Sequence, residues 1–476
     1  MQNNHQEKCD FCKIFAEKKV KIIEYTNGQL YNDNKKGTFM KRKAYDKLLE
    51  WKNSAGRRPL ILYGARQVGK TWLLKAFGEK EYESTVYINC DNNPDVENLF
   101  FDFDTERIIR VISAITNKKI EKEKTLIIFD EIQEEIKGIT ALKYFNENNP
   151  DYHIAVAGSL LGLKVHSGTG FPVGKVDEIT LYPMTFTEFL EALGHDMLLE
   201  LLESERWNEI SALGSRFIEL LRQYYYCGGM PEVVKNYVEK QDLKEVRSTQ
   251  LRILRDYKRD FSKHIPARLL PKVNMVWDGL SGQLAKENKK FIYSAIKKGG
   301  RAKEFEDAIQ WLIEAGLVHK VNRIKKIDMP LNFYEDISAF KLFSSDLGLL
   351  GAKSSVPAKD ILSGSNIFKE YKGSITEQYV AQQMIASGVE PYYYSNENST
   401  MEIDFVIQMD KVYPIEVKAE ENLKSKSLQT VLKDKTDMKG WRFSMSPYRE
   451  QERIVNVPLY AVSEWIKSRE SGHWII

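Results

Sequence analysis

Gly64-Ala65-Arg66-Gln67-Val68-Gly69-Lys70-Thr71 is the stretch whose residue types and spacing point most directly to chemistry. It fits G-x-x-x-x-G-K-[ST], with an apolar run from Leu60 to Tyr63 before it and Leu73, Leu74 and Phe77 after it. Strand, glycine loop and helix in that order make a phosphate cradle. Glycines let the backbone close around the anion, and the loop amides and helix N-terminus supply positive potential. In that reading Lys70 contacts the β- and γ-phosphates of ATP, and Thr71 holds Mg2+. A metal needs a second oxygen donor, and the run TLIIFDEIQ (125–133) supplies one. It is apolar throughout, as befits a strand covered on both faces, until it ends in Asp130 and Glu131. Asp130 would complete the Mg2+ shell, and Glu131 stands where a base orients the attacking water. Helix capping would explain Asp130 alone but not its pairing with a phosphate loop. A third run, HIAVAGS (153–159), ends in Ser159, whose hydroxyl could reach the γ-phosphate or serve only a turn.

A second constellation lies near the C-terminus. In EIDFVIQMDKVYPIEVKAE (402–420), Ile403, Phe405 and Ile407 alternate with Glu402 and Asp404, and Ile415 and Val417 alternate with Glu416 and Lys418. Side chains repeat with period two along a strand, so Glu416 and Lys418 share a face. A helical stretch at 374–388 brings Glu377 toward them. Glu377, Asp404, Glu416 and Lys418 follow the order and spacing of a PD-(D/E)xK nuclease site. Carboxylates there hold Mg2+, which generates hydroxide, and the lysine positions water and stabilises the charged phosphate oxygens. A solvated Glu416–Lys418 pair is the plainer alternative.

Four stretches carry a family resemblance: the phosphate loop, GKVDEITLYPMTFTEFL (174–190), YYYCGGMPEVV (224–234) and FKLFSSDLGLL (340–350). They resemble AAA+-type ATPases, and more closely an uncharacterised prokaryotic family of P-loop ATPases. Members of that family pair the ATPase with a C-terminal domain of unassigned function that looks like a PD-(D/E)xK nuclease. The resemblance implies an arginine where this chain has Lys175, which leaves Arg66 as the arginine to consider.

The elements that must position these residues follow from the rest of the chain. Its 476 residues suggest about three domains. Helical patterning from Glu203 to about Arg259 predicts a lid on the ATPase core. Beyond it, Phe305, Ala308, Ile309, Leu312 and Ile313 line one helical face, Gly316 stops the helix, and LVHKVNRI reads as a strand. Helix, turn, helix and strand predict a winged-helix-like module. The acids Glu304, Glu306, Asp307 and Glu314 on its second helix disfavour entry into a DNA groove and favour a structural or partner-docking module over a sequence reader. Upstream, 14 Lys or Arg stand against 5 Asp or Glu between Leu251 and Glu304, including Lys289, Lys290, Lys297, Lys298 and Arg301, a patch that could attract the phosphates of nucleic acid, with a solvated helical surface as the plainer reading.

The expected fold is therefore α/β: a P-loop NTPase parallel sheet (39–200), a helical lid (201–270), a winged-helix-like module (271–330) and an α/β nuclease-like domain (331–476). Residues 1–38 read as an appendage. Cys9 and Cys12 could ligate zinc, although no second pair follows. Four cysteines, no signal-peptide pattern and no apolar stretch long enough to span a membrane predict a cytoplasmic protein. The net charge of +3 does not by itself call for nucleic acid. Two functions compete: ATP-coupled nucleic-acid processing, and an ATP-dependent switch whose C-terminal domain docks a partner.

Overall fold

Five parallel strands form the first sheet of the computed structural model, in the order β2-β3-β4-β1-β5. They are β1 (Leu60–Tyr63), β2 (Ser84–Asn89), β3 (Thr125–Asp130), β4 (His153–Ala157) and β5 (Asp177–Thr180). Described are residues 40–159, 170–284, 290–363, 369–396, 401–420, 425–435 and 437–470; the expected appendage, Cys9, Cys12 and Lys289 lie outside them. All six residues of β3 are buried. That explains its unbroken apolar run, because β3 pairs on both sides and is covered on both faces. The loop after β1 opens helix α1 (Lys70–Glu81), and Gly69 at its start has φ 93°, a left-handed backbone that glycine adopts without strain.

After β5 the chain is helical. A capping box closes the start of α2 (Phe186–Ala192): Thr185 and Glu188 satisfy each other's backbone amides. Then come α3 (Gly214–Cys227), α4 (Pro231–Lys240), which has its proline at the first turn, and the long α5 (Leu243–His264). Helices α6 (Leu270–Leu284), α7 (Tyr293–Ile296) and α8 (Ala302–Glu314) follow. Gly316 and Leu317 donate back to Ile313 and Leu312 and end α8, as the sequence pattern predicts. Among the described residues, no helix is long and apolar enough to cross a membrane.

Strands β6 (Val318–Ile324) and β7 (Glu335–Ser344) form a hairpin. It does not stand alone: β6 pairs in parallel with β8 (Tyr392–Ser395) through Arg323 and Ile324. The hairpin thus belongs to an eight-stranded mixed sheet, ordered β12-β13-β11-β10-β9-β8-β6-β7. Its further strands are β9 (Glu402–Gln408), β10 (Val412–Val417), β11 (Gly440–Ser444), β12 (Arg449–Gln451) and β13 (Ile454–Pro458). The expected boundary at 330/331 falls between the two strands of the hairpin. Ile324, Ile327 and Leu331 share one apolar cluster with Tyr392, Ile403, Val406 and Leu428, so side chains from both expected segments pack together.

Helix α9 (Leu347–Lys353) begins at the buried carboxylate of Asp346, and α10 (Lys369–Ala386) carries Glu377. Asp346 accepts from the amides of Gly229 (2.6 Å) and Leu349 (2.8 Å). The Gly229 carbonyl in turn accepts from Met184 N–H, and the approach is so close that a Cβ on Gly229 would lie 2.1 Å from the Met184 carbonyl oxygen. Three glutamines of α10 complete the junction. Gln378 pairs both ways with Ser344, Gln382 accepts from Leu347 N–H and donates to the Tyr224 hydroxyl, and Gln383 accepts from Phe186 N–H. Tyr224 donates to the Met184 carbonyl at 2.6 Å. The stretches 174–190, 224–234 and 340–350, scattered in sequence, meet here.

Removing a carboxylate that satisfies buried amides leaves them without acceptors, at roughly 1–3 kcal/mol each. Asp346→Ala is therefore expected to lower the stability of residues 41–470 by several kcal/mol, read as a lower urea midpoint. Burial pushes the Asp346 carboxyl up to about 6, against the pull of its amide donors. The folded state thus holds this proton more tightly than the unfolded chain does. Its contribution is full below the ordinary aspartate value and declines as pH rises through 6, so the cost of Asp346→Ala should be larger at pH 4 than at pH 7.

Candidate functional site

The phosphate loop runs from Gly64 to Thr71 between β1 and α1, with Ala65 and Val68 buried under it. Lys70 is buried, and its ammonium donates to the carbonyls of Gly64 (2.8 Å) and Ala65 (3.0 Å). Burial pulls its pKa down to about 8, only partly offset by Glu131 and Asp130. The Thr71 hydroxyl donates to Asp130 at 2.7 Å, which brings together the two oxygen donors expected for Mg2+. Both are hard oxygens at adjacent tips of α1 and β3, a donor set that suits Mg2+. Tyr87 donates to the same Asp130 oxygen at 3.0 Å, and the Glu131 amide donates to the other at 3.1 Å. The Asp130 carboxylate is therefore fixed from three sides.

Glu131 has a left-handed backbone, φ 52°, which turns the chain sharply at the end of β3. Its carboxylate accepts from the side-chain amide of Gln133 and, at 3.4 Å, from the Ser159 hydroxyl. Ser159 thus stands at the tip of β4 beside Glu131. Lys175 pairs with Glu147 at 3.1 Å on the core's surface. Arg66 forms an ion pair with Asp260 of α5, and neighbouring Gln67 donates to Asp256 at 3.3 Å. Tyr257 donates to the Arg66 carbonyl at 2.9 Å. Consecutive turns of α5 therefore hold the tip of the phosphate loop.

Sequence reasoning missed Arg42. It is buried and donates to the Val68 carbonyl (2.9 Å), the Tyr182 carbonyl (2.5 Å) and Glu188 (3.0 Å), tying the loop to the segment after β5 and to α2. It also missed Gln133 and Tyr87, although the position of Gln133, two residues after Glu131, was a usable signal.

At the C-terminal face, Glu377 on α10 and Glu416 on β10 are buried, and Asp404 on β9 is half-buried. Asp404 accepts from Val417 N–H at 2.7 Å. Lys418 pairs with Glu416 at 2.5 Å, while the second Glu416 oxygen is buried without a hydrogen-bond donor. Yet among the described residues no three His, Cys, Asp or Glu side chains gather closely enough to share an ion, so Glu377, Asp404 and Glu416 do not form the expected metal cluster. An unforeseen residue stands among the acids. Lys341 of β7 lies 2.5 Å from Glu402 and 3.7 Å from Glu377. Arg442, opposite Glu416 in the β10–β11 register, is a second unforeseen buried cation.

Residues 56–190 match the AAA domain family. With the loop geometry above, this match supports a P-loop ATPase reading of that segment. Residues 218–360 match a domain of unknown function (DUF8612), and residues 372–462 match another (DUF4143) that contains Glu377, Asp404, Glu416 and Lys418. No curated protein matches the chain. Among solved structures, a Walker-type ATPase of Pyrococcus abyssi is 14% identical with a TM-score of 0.43, over 68% of this chain and 99% of that one. The Orc1 protein of Aeropyrum pernix, solved in complex with DNA, is 14% identical with a TM-score of 0.26, over 66% and 91%. Cdc6p from Pyrobaculum aerophilum is 12% identical with a TM-score of 0.26, over 69% and 97%. With likenesses this slight, the fold rests on the chain's own strand order.

A polyanion placed beside Lys70 raises its pKa from about 8. ATP binding at pH 8.5 to 9 should therefore take up a proton, whereas binding at pH 7 should take up almost none. Calorimetric titrations in two buffers of different ionisation enthalpy read this directly. Equal proton uptake at both pH values would show that Lys70 is not the group that responds.

Proposed function

We propose that the chain is a Mg2+-dependent ATP-binding and ATP-hydrolysing protein whose nucleotide state is passed to a C-terminal domain that docks a partner. Thr71 and Asp130 would hold the Mg2+, Lys70 the β- and γ-phosphates, and Glu131 the attacking water. When bound, the metal neutralises the developing charge on the phosphates. Gln133 and Ser159 hold the Glu131 carboxylate in place.

The observation that carries the coupling is one continuous chain of contacts, part-buried at the loop tip and buried beyond it. The loop tip is held by Asp256, Tyr257 and Asp260 on α5. On the same helix, Gln250 donates to the carbonyls of Tyr226 (2.8 Å) and Cys227 (2.9 Å). Those residues lead into Gly229 and Asp346, and from there Gln382 leads into α10. A shift of the loop on nucleotide binding has polar contacts to act on at each step.

Nucleic-acid processing remains the second reading, favoured by the donorless Glu416 oxygen beside Lys418. The order α6, α7, α8, β6, β7 supports a winged-helix-like reading of the middle. Exposed Glu306 and Asp307 on α8 oppose phosphate contact there and support protein docking.

Glu131→Gln should bind ATP as the wild type does while turnover falls by roughly 10²–10⁴-fold. Lys70→Ala should lose ATP binding. Both are read by calorimetry and phosphate release. Incubation with single- and double-stranded DNA and RNA, with Mg2+ or Mn2+ and with or without ATP, should give no cutting. Cleavage that disappears in Asp404→Ala would replace docking with the nuclease reading.

A further inference from the structure

We infer that the Lys341 ammonium is the resident cation of the C-terminal acid cluster, held by Glu402 and Glu377 in place of a divalent metal ion. Lys341 sits on β7 between Phe340 and Leu342 and is 0% exposed. A lysine so deeply buried persists as a cation only where carboxylates compensate for lost hydration. Three do so. Glu402 pairs with it at 2.5 Å, Glu377 lies at 3.7 Å, and Asp404 adds a further attraction. The face of Tyr393 closes the remaining side, its ring centre 4.8 Å from the ammonium. Burial works against the charge, and these carboxylates more than offset it, leaving the pKa above lysine's ordinary value.

The other acids are also engaged. Asp404 takes the Val417 amide, and Glu416 has Lys418 at 2.5 Å and the buried Arg442 guanidinium nearby. Four carboxylates (Glu377, Glu402, Asp404, Glu416) thus face three fixed cations (Lys341, Lys418, Arg442). A divalent ion at Glu377 and Asp404 would sit close to the Lys341 charge with little water to screen it. The donor set therefore does not fit Mg2+ while Lys341 is present, in keeping with the absence of a three-acid group among the described residues.

The inference rests on the docking reading of the C-terminal domain, but metal uptake does not depend on ATP turnover, so the two can fail separately. The test is Mn2+ titration, followed by electron paramagnetic resonance, on the nucleotide-free full chain carrying Asp130→Asn to silence the ATPase donor. With Lys341 intact, no sub-millimolar Mn2+ site is expected. Lys341→Met removes the charge and keeps most of the volume, and should gain Mn2+ affinity by about tenfold or more. Adding Glu377→Gln or Asp404→Asn to it should abolish the gain. A folded Lys341→Met protein that gains no Mn2+ overturns the inference. So does sub-millimolar Mn2+ binding with Lys341 intact that Glu377→Gln removes. Should Lys341→Met fail to fold, the Lys341-containing pair decides: Mn2+ uptake unchanged by Glu377→Gln supports the resident cation, and uptake lost with it overturns it.

Discussion

A carboxylate buried at the junction of three distant segments organises this molecule. Asp346 can accept amide protons from Gly229 and Leu349 only if α3, α9 and the turn at 228–230 come together, and Gly229 is then pressed against Met184. The same junction fixes Tyr224, whose hydroxyl receives Gln382 of α10 and donates toward the ATPase core. Buried polar groups at such a point tolerate few alternatives, because each displaced partner leaves an unsatisfied donor or acceptor in a dry interior. The arrangement therefore specifies how the ATPase core and the eight-stranded sheet fit together, which apolar packing alone does loosely.

The phosphate loop is set by the same kind of constraint. Arg42 anchors its Val68 carbonyl, α5 grips its tip, and Lys70 turns inward to the Gly64 and Ala65 carbonyls. The helix that grips the loop also reaches the Asp346 junction through Gln250, so nucleotide chemistry and interdomain packing share one rigid element.

Local features were legible in the sequence. The strand–loop–helix of the phosphate site, the buried β3 ending in Asp130, the Pro231 helix start and the Gly316 stop each follow from spacing over a short local stretch. What distance in sequence separates was not legible. Arg66 meets Asp260 across 194 residues. Lys341 reads in sequence as a stray lysine in an apolar strand, because periodicity reports which face a residue takes and not which acids cross to it. The pairing of β6 with β8 escaped for the same reason: it is made by two residues on strands more than sixty positions apart. Glu377, Asp404, Glu416 and Lys418 were found by spacing, while the buried cations Lys341 and Arg442 were not.

Hydrogen–deuterium exchange on the Glu131→Gln protein, with and without Mg-ATP, measures the link between the loop and α10 most directly. Slowed exchange at residues 64–71 should be accompanied by altered exchange at 250–261 and again at 376–383. A response confined to the phosphate loop and the tip of β3, with α5 and α10 unchanged, would contradict it.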